Sequence, residues 1–270
     1  MRLCMFSASG GGPVPGRIEG DRVVALGARD LVAVLDMAGD APEVGEFRLA
    51  DVRLWAPVPE PPSLRDFFAF EQHVATARRN RGAEVPAEWY EIPVFYFSNP
   101  AAIFGPEDAI PHPRASRELD YELEVAAVIG HDGQIAGFTV MNDWSARDLQ
   151  RQEVRVGLGP AKGKDFATSL GPVLVTVDEF DGRAAEMVAR VNGEERSRGN
   201  LRDLHHSWEA IVERAALNTR LRTGDVLGSG TVGTGCILEA DDGRWLRVGD
   251  VVELEVEGIG VLRNAVSPPR

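Results

Sequence analysis

The feature that most constrains the fold is a succession of short segments rich in β-branched and aromatic residues, each closed off by glycine, proline or asparagine. From about Tyr96 onward they read PVFYFSNP, LDYELEVAAVIG and QIAGFTVMN, and the chain finishes on GDVVELEVEGIGVLRNAV. Runs of this length and composition pleat as strands rather than coil as helices. Two stretches, DWSARDLQRQ and LHHSWEAIVERAAL, carry helical patterning between them. The expectation is a mixed, β-rich α+β fold. Its first part, residues 1–60, reads as a small N-terminal β subdomain containing a hairpin in RIEGDRVVAL, and the proline-rich VPEPPS at 58–63 marks the passage into a larger domain, 61–270. A helix is expected to start just after that passage, because Ser63 with Asp66 three residues on resembles a capping box and DFFAFEQHVATARRN continues with helix formers.

The 270 residues carry a formal net charge of -13, which repels phosphate backbones and anionic membranes and argues against a nucleic-acid or membrane-surface role. No stretch approaches the roughly 18 apolar residues of a membrane span, and the N-terminal apolar run is too short for a secretory signal. A cytoplasmic setting is the expectation. Cys4 and Cys236 are far apart with no C-x-x-C neighbour, which fits two buried thiols in a reducing compartment.

Two glycine-rich segments mislead. GSGTVG at 228–233 has the letters of a dinucleotide fingerprint, but TGCILEADDG behind it lacks the helix that motif needs. GLGPAKGK at 157–164 has the wrong spacing for a phosphate loop, with Asp165 where a magnesium-binding hydroxyl belongs. The five histidines show no zinc spacing, and His205 and His206 are expected to decorate a helix.

The acidic residues are more informative. Strand alternation in LDYELEVAAVIG places Glu122 and Glu124 on one face, about 7 Å apart, with Tyr121, Leu123 and Val125 on the other. Carboxylates that close repel unless water or a cation screens them. The same spacing also fits a plain solvated face, as in VVELEVEG, where Glu253, Glu255 and Glu257 alternate identically. Asp143 ends an apolar strand and precedes a helix, so it suits either an N-cap or a ligand. Arg147 and Gln150, at i and i+3, share one face of that helix. Asp66 and His73 lie on one helical face but about 10 Å apart along it, too far for a dyad unless the helix breaks.

Taken in order, DFFAFEQH, LDYELE, MNDWSARDLQ, GKDFATSLGP, GSGTVG, ILEADDG and GDVVELEVEGIGVLRN resemble the fumarylacetoacetate hydrolase family over about Ser63 to Val266. The resemblance implies a β roll or sandwich, a homodimer, and a divalent cation held by Asp66, Glu122, Glu124 and Asp143. An all-oxygen set of this kind suits Mg²⁺ first, with Ca²⁺ or Mn²⁺ as alternatives. It further implies His73 as general base oriented by Glu239, Lys164 as a catalytic cation, and Arg147, Gln150, Tyr96 and Thr231 around a small anionic keto acid.

The reaction this suggests is hydrolysis of a carbon–carbon bond in a β-diketo acid of fumarylacetoacetate or acylpyruvate type, with His73 activating water. The same enolate chemistry serves an alternative, decarboxylation or isomerisation of an oxaloacetate-like or 2-oxo-ene-dioate substrate, and a non-catalytic calcium-binding module would explain the carboxylates alone. Relative to the mammalian-type hydrolase, Val154 or Arg155 stands where a substrate-binding tyrosine is expected, and Gly82, with Arg81 as substitute, where a substrate arginine is expected.

Overall fold

The computed structural model describes every residue except Ser9 and Arg81, so the expectation placed on Arg81 lies outside the described residues. The first part of the chain contributes β1 (Arg2–Ser7), β2 (Val14–Glu19), β3 (Arg22–Leu26), α1 (Leu31–Asp36), β4 (Glu43–Arg48) and β5 (Arg53–Trp55). Beyond the proline-rich passage come β6 (Leu64–Phe67), α2 (Glu71–Arg79), α3 (Ala87–Glu91), β7 (Phe95–Ser98), β8 (Ile103–Phe104), β9 (Ala109–Pro111), β10 (Leu119–Asp120), β11 (Leu123–Ile129) and β12 (Ile135–Asp143). The remainder is β13 (Ser145–Ala146), α4 (Arg147–Arg155), β14 (Thr168–Thr176), β15 (Glu186–Val191), β16 (Glu194–Asn200), α5 (Trp208–Ala216), β17 (Val226–Gly228), α6 (Ile237–Ala240), β18 (Val251–Val256) and β19 (Gly260–Ser267).

These strands form a large sheet in the order β4-β3-β2-β1-β14-β12-β11-β17-β6-β7, with β5 beside β1 and β8 beside β14. A second sheet runs β16-β15-β18-β19-β9, and β10 pairs β13 alone. The RIEGDRVVAL hairpin forms as β2 and β3, with Glu19 opposite Arg22. The leading segment shares the large sheet, since β1 pairs antiparallel with β14.

At the centre, β11 is apolar on both faces. Val125, Ala127 and Ile129 join a core containing Phe138, Met187, Leu254 and Val256, while Ala126 and Val128 join Leu3, Met5, Leu31 and Leu174 on the opposite side. A strand buried on both sides reads as an unbroken apolar run, which is what VAAVI is. Each fully buried Leu, Val or Phe side chain here contributes about 1.5–3 kcal/mol.

The helix expected from Ser63 does not form there. Leu64 to Phe67 are a buried strand, parallel to β17 and antiparallel to β7, and α2 starts only at Glu71. Ser63 donates its hydroxyl to Asp225 rather than capping a helix. The reason is non-local: ladder bonds to β17, some 160 residues on in sequence order, outweigh local helix preference. His205 and His206 also differ from expectation, because they precede α5, whose N-cap is Ser207. His206 is buried and donates Nε2–H to the carbonyl of Trp89 at 2.7 Å. Asp143 closes β12 and is not an N-cap, since α4 begins after Ala146. Both cysteines are buried free thiols, and Glu253 and Glu255 lie half-exposed on β18 as the solvated-face reading has it. Among the described residues no helix is long and apolar enough to cross a membrane.

Candidate active site

Three strands and one break between strands deliver a single carboxylate cluster. Asp66 comes from β6, Glu122 from the break between β10 and β11, Glu124 from β11 and Asp143 from the end of β12, and their nearest oxygens all lie within 4.8 Å of one another. All four side chains are buried. The break that frees Glu122 is held by Asn142, whose Oδ1 accepts the Glu122 backbone N–H at 2.9 Å. Gly228 makes room for the cluster: a Cβ there would stand 2.5 Å from Asp66 Oδ1 and 3.1 Å from Glu124 Oε2. Gly230 serves the turn that follows, with φ of +79° and the Phe67 carbonyl 2.4 Å from where a Cβ would sit.

Burial and then the charge of Asp143 push the Asp66 carboxyl well above the ordinary aspartate range, and burial followed by Asp66 and Glu122 does the same to Glu124. Burial also raises Asp143, against the opposing pull of Lys164. Glu122 behaves differently, because Lys164 and Arg147 together overcome the effect of burial and hold it below the usual glutamate value. Asp66 Oδ1, Glu124 Oε2 and Asp143 Oδ1 are buried without a hydrogen-bond partner among the described residues. Buried, mutually repelling and unpaired carboxylate oxygens are costly alone and are the donor set of a hard divalent cation. The residues present therefore fit such an ion.

Lys164 lies inside this cluster, its Nζ donating to both Glu122 and Asp143. Burial alone would lower its pKa, but Asp143 and Glu122 outweigh that and keep it charged. The Tyr96 hydroxyl donates to Asp143 as well, and Thr231 Oγ1 donates to Glu124 at 3.4 Å. Arg147 has internal partners on every side. Its Nε donates to Asp120 at 2.8 Å, one terminal nitrogen donates to Gln150 at 3.1 Å, and the other makes an ion contact with Glu122 at 2.7 Å.

His73 on α2 and Glu239 on α6 come together, with Nδ1 2.9 Å from Oε2 and both side chains almost fully enclosed. Asp66 and His73 do not share a helix: Asp66 lies on β6, α2 begins only at Glu71, and the turn between them lets both side chains face one cavity. His73, Asp66, Glu122, Glu124, Arg147, Gln150, Tyr96, Lys164 and Thr231 all line one cavity of about 230 Å³, with Phe67, Phe68, Val94, Phe95, Val154 and Leu238 as its apolar wall. Val154, which stands where the resemblance expects a tyrosine, is part of that wall; Gly82 and Arg155 do not line the cavity. The volume suits a ligand smaller than a drug-sized molecule.

Three residues of this site carry no ligand chemistry that sequence reading would single out. Asp120 binds Arg147 and also accepts the backbone N–H groups of Ile237 at 2.8 Å and Leu238 at 3.1 Å, tying α6 to the cluster. Asn142 and Gly228 set the spacing of the carboxylates. Their only signal is position, one or two residues from a ligand in LDYELE and MNDW, or inside a glycine run.

Comparison with known proteins fits this geometry. A sequence model described as "Fumarylacetoacetate (FAA) hydrolase C-terminal" matches residues 64–267. Oxaloacetate tautomerase YisK of Bacillus subtilis (strain 168) is 31% identical over 265 residues, covering 92% of this chain and 84% of that protein. The mitochondrial oxaloacetate tautomerase FAHD2A of Bos taurus is 33% identical over 231 residues, covering 80% of this chain and 70% of that protein. Among solved structures, 5-carboxymethyl-2-hydroxymuconate delta-isomerase from Mycobacterium smegmatis superposes with a TM-score of 0.79 at 30% identity, over 99% of this chain and 100% of that one.

Proposed function

The chain belongs to the fumarylacetoacetate hydrolase family, and on that premise we propose that it is a metal-dependent tautomerase or isomerase of a small 2-oxo dicarboxylic acid of oxaloacetate type. The observation that carries this reading is the pairing, in one cavity, of an oriented imidazole with a buried lysine beside a carboxylate cluster. Keto–enol exchange needs one base to move one proton between carbon and oxygen, and a cation to hold the oxygen while it is negative.

In this reading His73 takes the proton from the carbon beside the keto group, the electron pair left behind forms the carbon–carbon double bond, and the imidazolium returns the proton to the oxygen. Glu239 orients the ring and steadies the imidazolium. Lys164 has two of its three donors engaged by Glu122 and Asp143, which leaves one for a substrate oxygen. Gln150, Tyr96 and Thr231 complete the polar lining, and Arg147 orients Glu122. A divalent cation held by Asp66, Glu122, Glu124 and Asp143, with Mg²⁺ the first choice and Mn²⁺ or Ca²⁺ next, supplies Lewis-acid polarisation of a carbonyl.

Carbon–carbon hydrolysis, the first expectation from the sequence, ranks behind, because the named relatives are tautomerases and an isomerase. A non-catalytic calcium module ranks last, since those relatives are enzymes and it gives no role to His73 or Lys164. The reading also retains a cytoplasmic homodimer, which light scattering tests for assembly.

The deciding experiment strips the protein of metal, resupplies Mg²⁺, Mn²⁺ or Ca²⁺, and offers enol-oxaloacetate, acylpyruvates and fumarylacetoacetate with product identification. Faster conversion of enol to keto oxaloacetate without loss of carbon supports the proposal. Two acids from a diketone establish the hydrolase instead, and carbon dioxide release the decarboxylase.

A further inference from the structure

Beside the carboxylate cluster lies a second group of ligating atoms of different chemical character. His73 Nδ1, Cys236 Sγ and a Glu239 carboxylate oxygen lie within 4.8 Å of one another. Glu239 Oε2 is 2.9 Å from the imidazole nitrogen and 3.5 Å from the thiol. We propose that these three side chains form a separate site for a borderline-soft divalent ion, Zn²⁺ being the type, whose occupation takes His73 out of use and thereby inhibits the enzyme.

Three features support it. First, the donors are one nitrogen, one sulfur and one oxygen, a set that favours zinc over the hard ions suited to the all-oxygen cluster. Zinc bonds to such atoms place neighbouring ligands roughly 3.3–3.7 Å apart in a tetrahedron. The separations observed need shifts of only a few tenths of an ångström for the two pairs involving Glu239.

Second, His73 Nδ1 is buried and, although Glu239 is in contact with it, makes no hydrogen bond among the described residues. His73 is 4% exposed and Cys236 1%, so neither is an incidental surface group.

Third, the surrounding contacts hold the donors where a metal needs them. Thr234 N–H donates to the other Glu239 oxygen, Oε1, at 3.1 Å, and the Phe68 ring packs against the imidazole at 5.4 Å. Outer contacts of this kind fix the orientation of metal ligands. His73 and Leu238 line the substrate cavity, which gives an ion a way in and leaves the fourth position for water. Sequence spacing could not reveal the set, because one donor lies on α2 and the others flank the start of α6.

Binding exchanges the sulfur–hydrogen bond of Cys236 for a sulfur–metal bond and releases that proton to solvent; nothing is oxidised or reduced. Occupation of the site is independent of the proposed reaction, and only its inhibitory effect rests on His73 being the base.

The test starts from protein saturated with Mg²⁺ and titrates it with Zn²⁺ or with Co²⁺ in buffer that keeps Mg²⁺ saturating, with bound metals counted. One equivalent of Zn²⁺ taken up while Mg²⁺ is retained supports the site, as does a thiolate-to-cobalt charge-transfer band in the wild-type protein. Cys236→Ser is expected to lose that band and to bind Zn²⁺ roughly 100-fold more weakly, since loss of even an outer contact costs about 10–100-fold. Zn²⁺ entering only by displacing Mg²⁺ one for one, or a folded wild-type cobalt form without the band, overturns the proposal. Failure of Mg²⁺-loaded protein to tautomerise oxaloacetate would instead remove the proposed function while leaving the metal count as it stands.

Discussion

Asp120 and Arg147 form a buried ion pair, Oδ2 to Nε at 2.8 Å, through which the helix carrying Glu239 is linked to the carboxylate Glu122. Asp120 accepts two backbone N–H groups of α6 while Arg147 reaches across to Glu122. Removing one partner of such a pair strands a buried charge. Asp120→Ala is therefore expected to cost about 3–5 kcal/mol of stability in urea unfolding. Asp120→Asn, which keeps an acceptor for α6, should cost less. Equal losses for the two variants would show that the hydrogen bonds to α6 contribute nothing and that the lost charge accounts for the whole effect.

Gly228→Ala tests the packing of the carboxylates. The added methyl would stand 2.5 Å from Asp66 Oδ1 and 2.7 Å from the Met141 methyl, so Asp66 must move. Titration calorimetry should find Mg²⁺ or Mn²⁺ affinity lowered about 10–100-fold, the range seen when supports of a metal site are disturbed. Unchanged affinity would remove Asp66 from the ligand set.

His206 gives the fold a defined pH response. Burial holds its imidazole below the ordinary value of 6.5, only partly offset by its hydrogen bond to the Trp89 carbonyl, with His205 adding to the depression. In the unfolded chain the ring takes a proton as pH falls through about 6.5, while in the folded chain it does so only at lower pH. The unfolded state then binds more protons, so stability declines as pH drops through that window and levels off once the folded ring is protonated too. The urea midpoint at about pH 5 should lie below that at about pH 7.5, and His206→Gln should flatten the difference.

The His73–Glu239 pair is expected to matter for rate more than for binding. His73→Ala should lower kcat for oxaloacetate tautomerisation by about 10²–10⁴-fold, the usual contribution of a positioned base. Glu239→Gln should produce a smaller drop in kcat with KM nearly unchanged. If either variant instead raised KM alone, the pair would hold substrate without moving protons.

Much of this site was legible because its carboxylates sit in strands whose alternation survives in the sequence. Glu124, Ala126 and Val128 do share a face away from Leu123 and Val125. Glu122 joins Glu124 despite the break after Asp120, because Asn142 holds the backbone there. Asp66 is legible only through the family resemblance, and its local sequence suggests a helix, since a strand made by pairing with β17 leaves no mark in its own neighbourhood. Arg147 illustrates a different limit. Its presence was legible, but its three internal partners were not, because Asp120 and Glu122 meet it only when β10, β13 and α4 are assembled.

The parallel pairing of β6 with β17 has a consequence for how the protein is made. Asp66 is joined to the strands bearing Glu122, Glu124 and Asp143 through a segment that begins at Val226. A growing chain must expose nearly all its length before those acids can meet, so a captured ion certifies a completed tertiary structure. Free Mg²⁺ should then act as a selective stabiliser of finished molecules, raising the melting temperature in proportion to the logarithm of its concentration once above the dissociation constant.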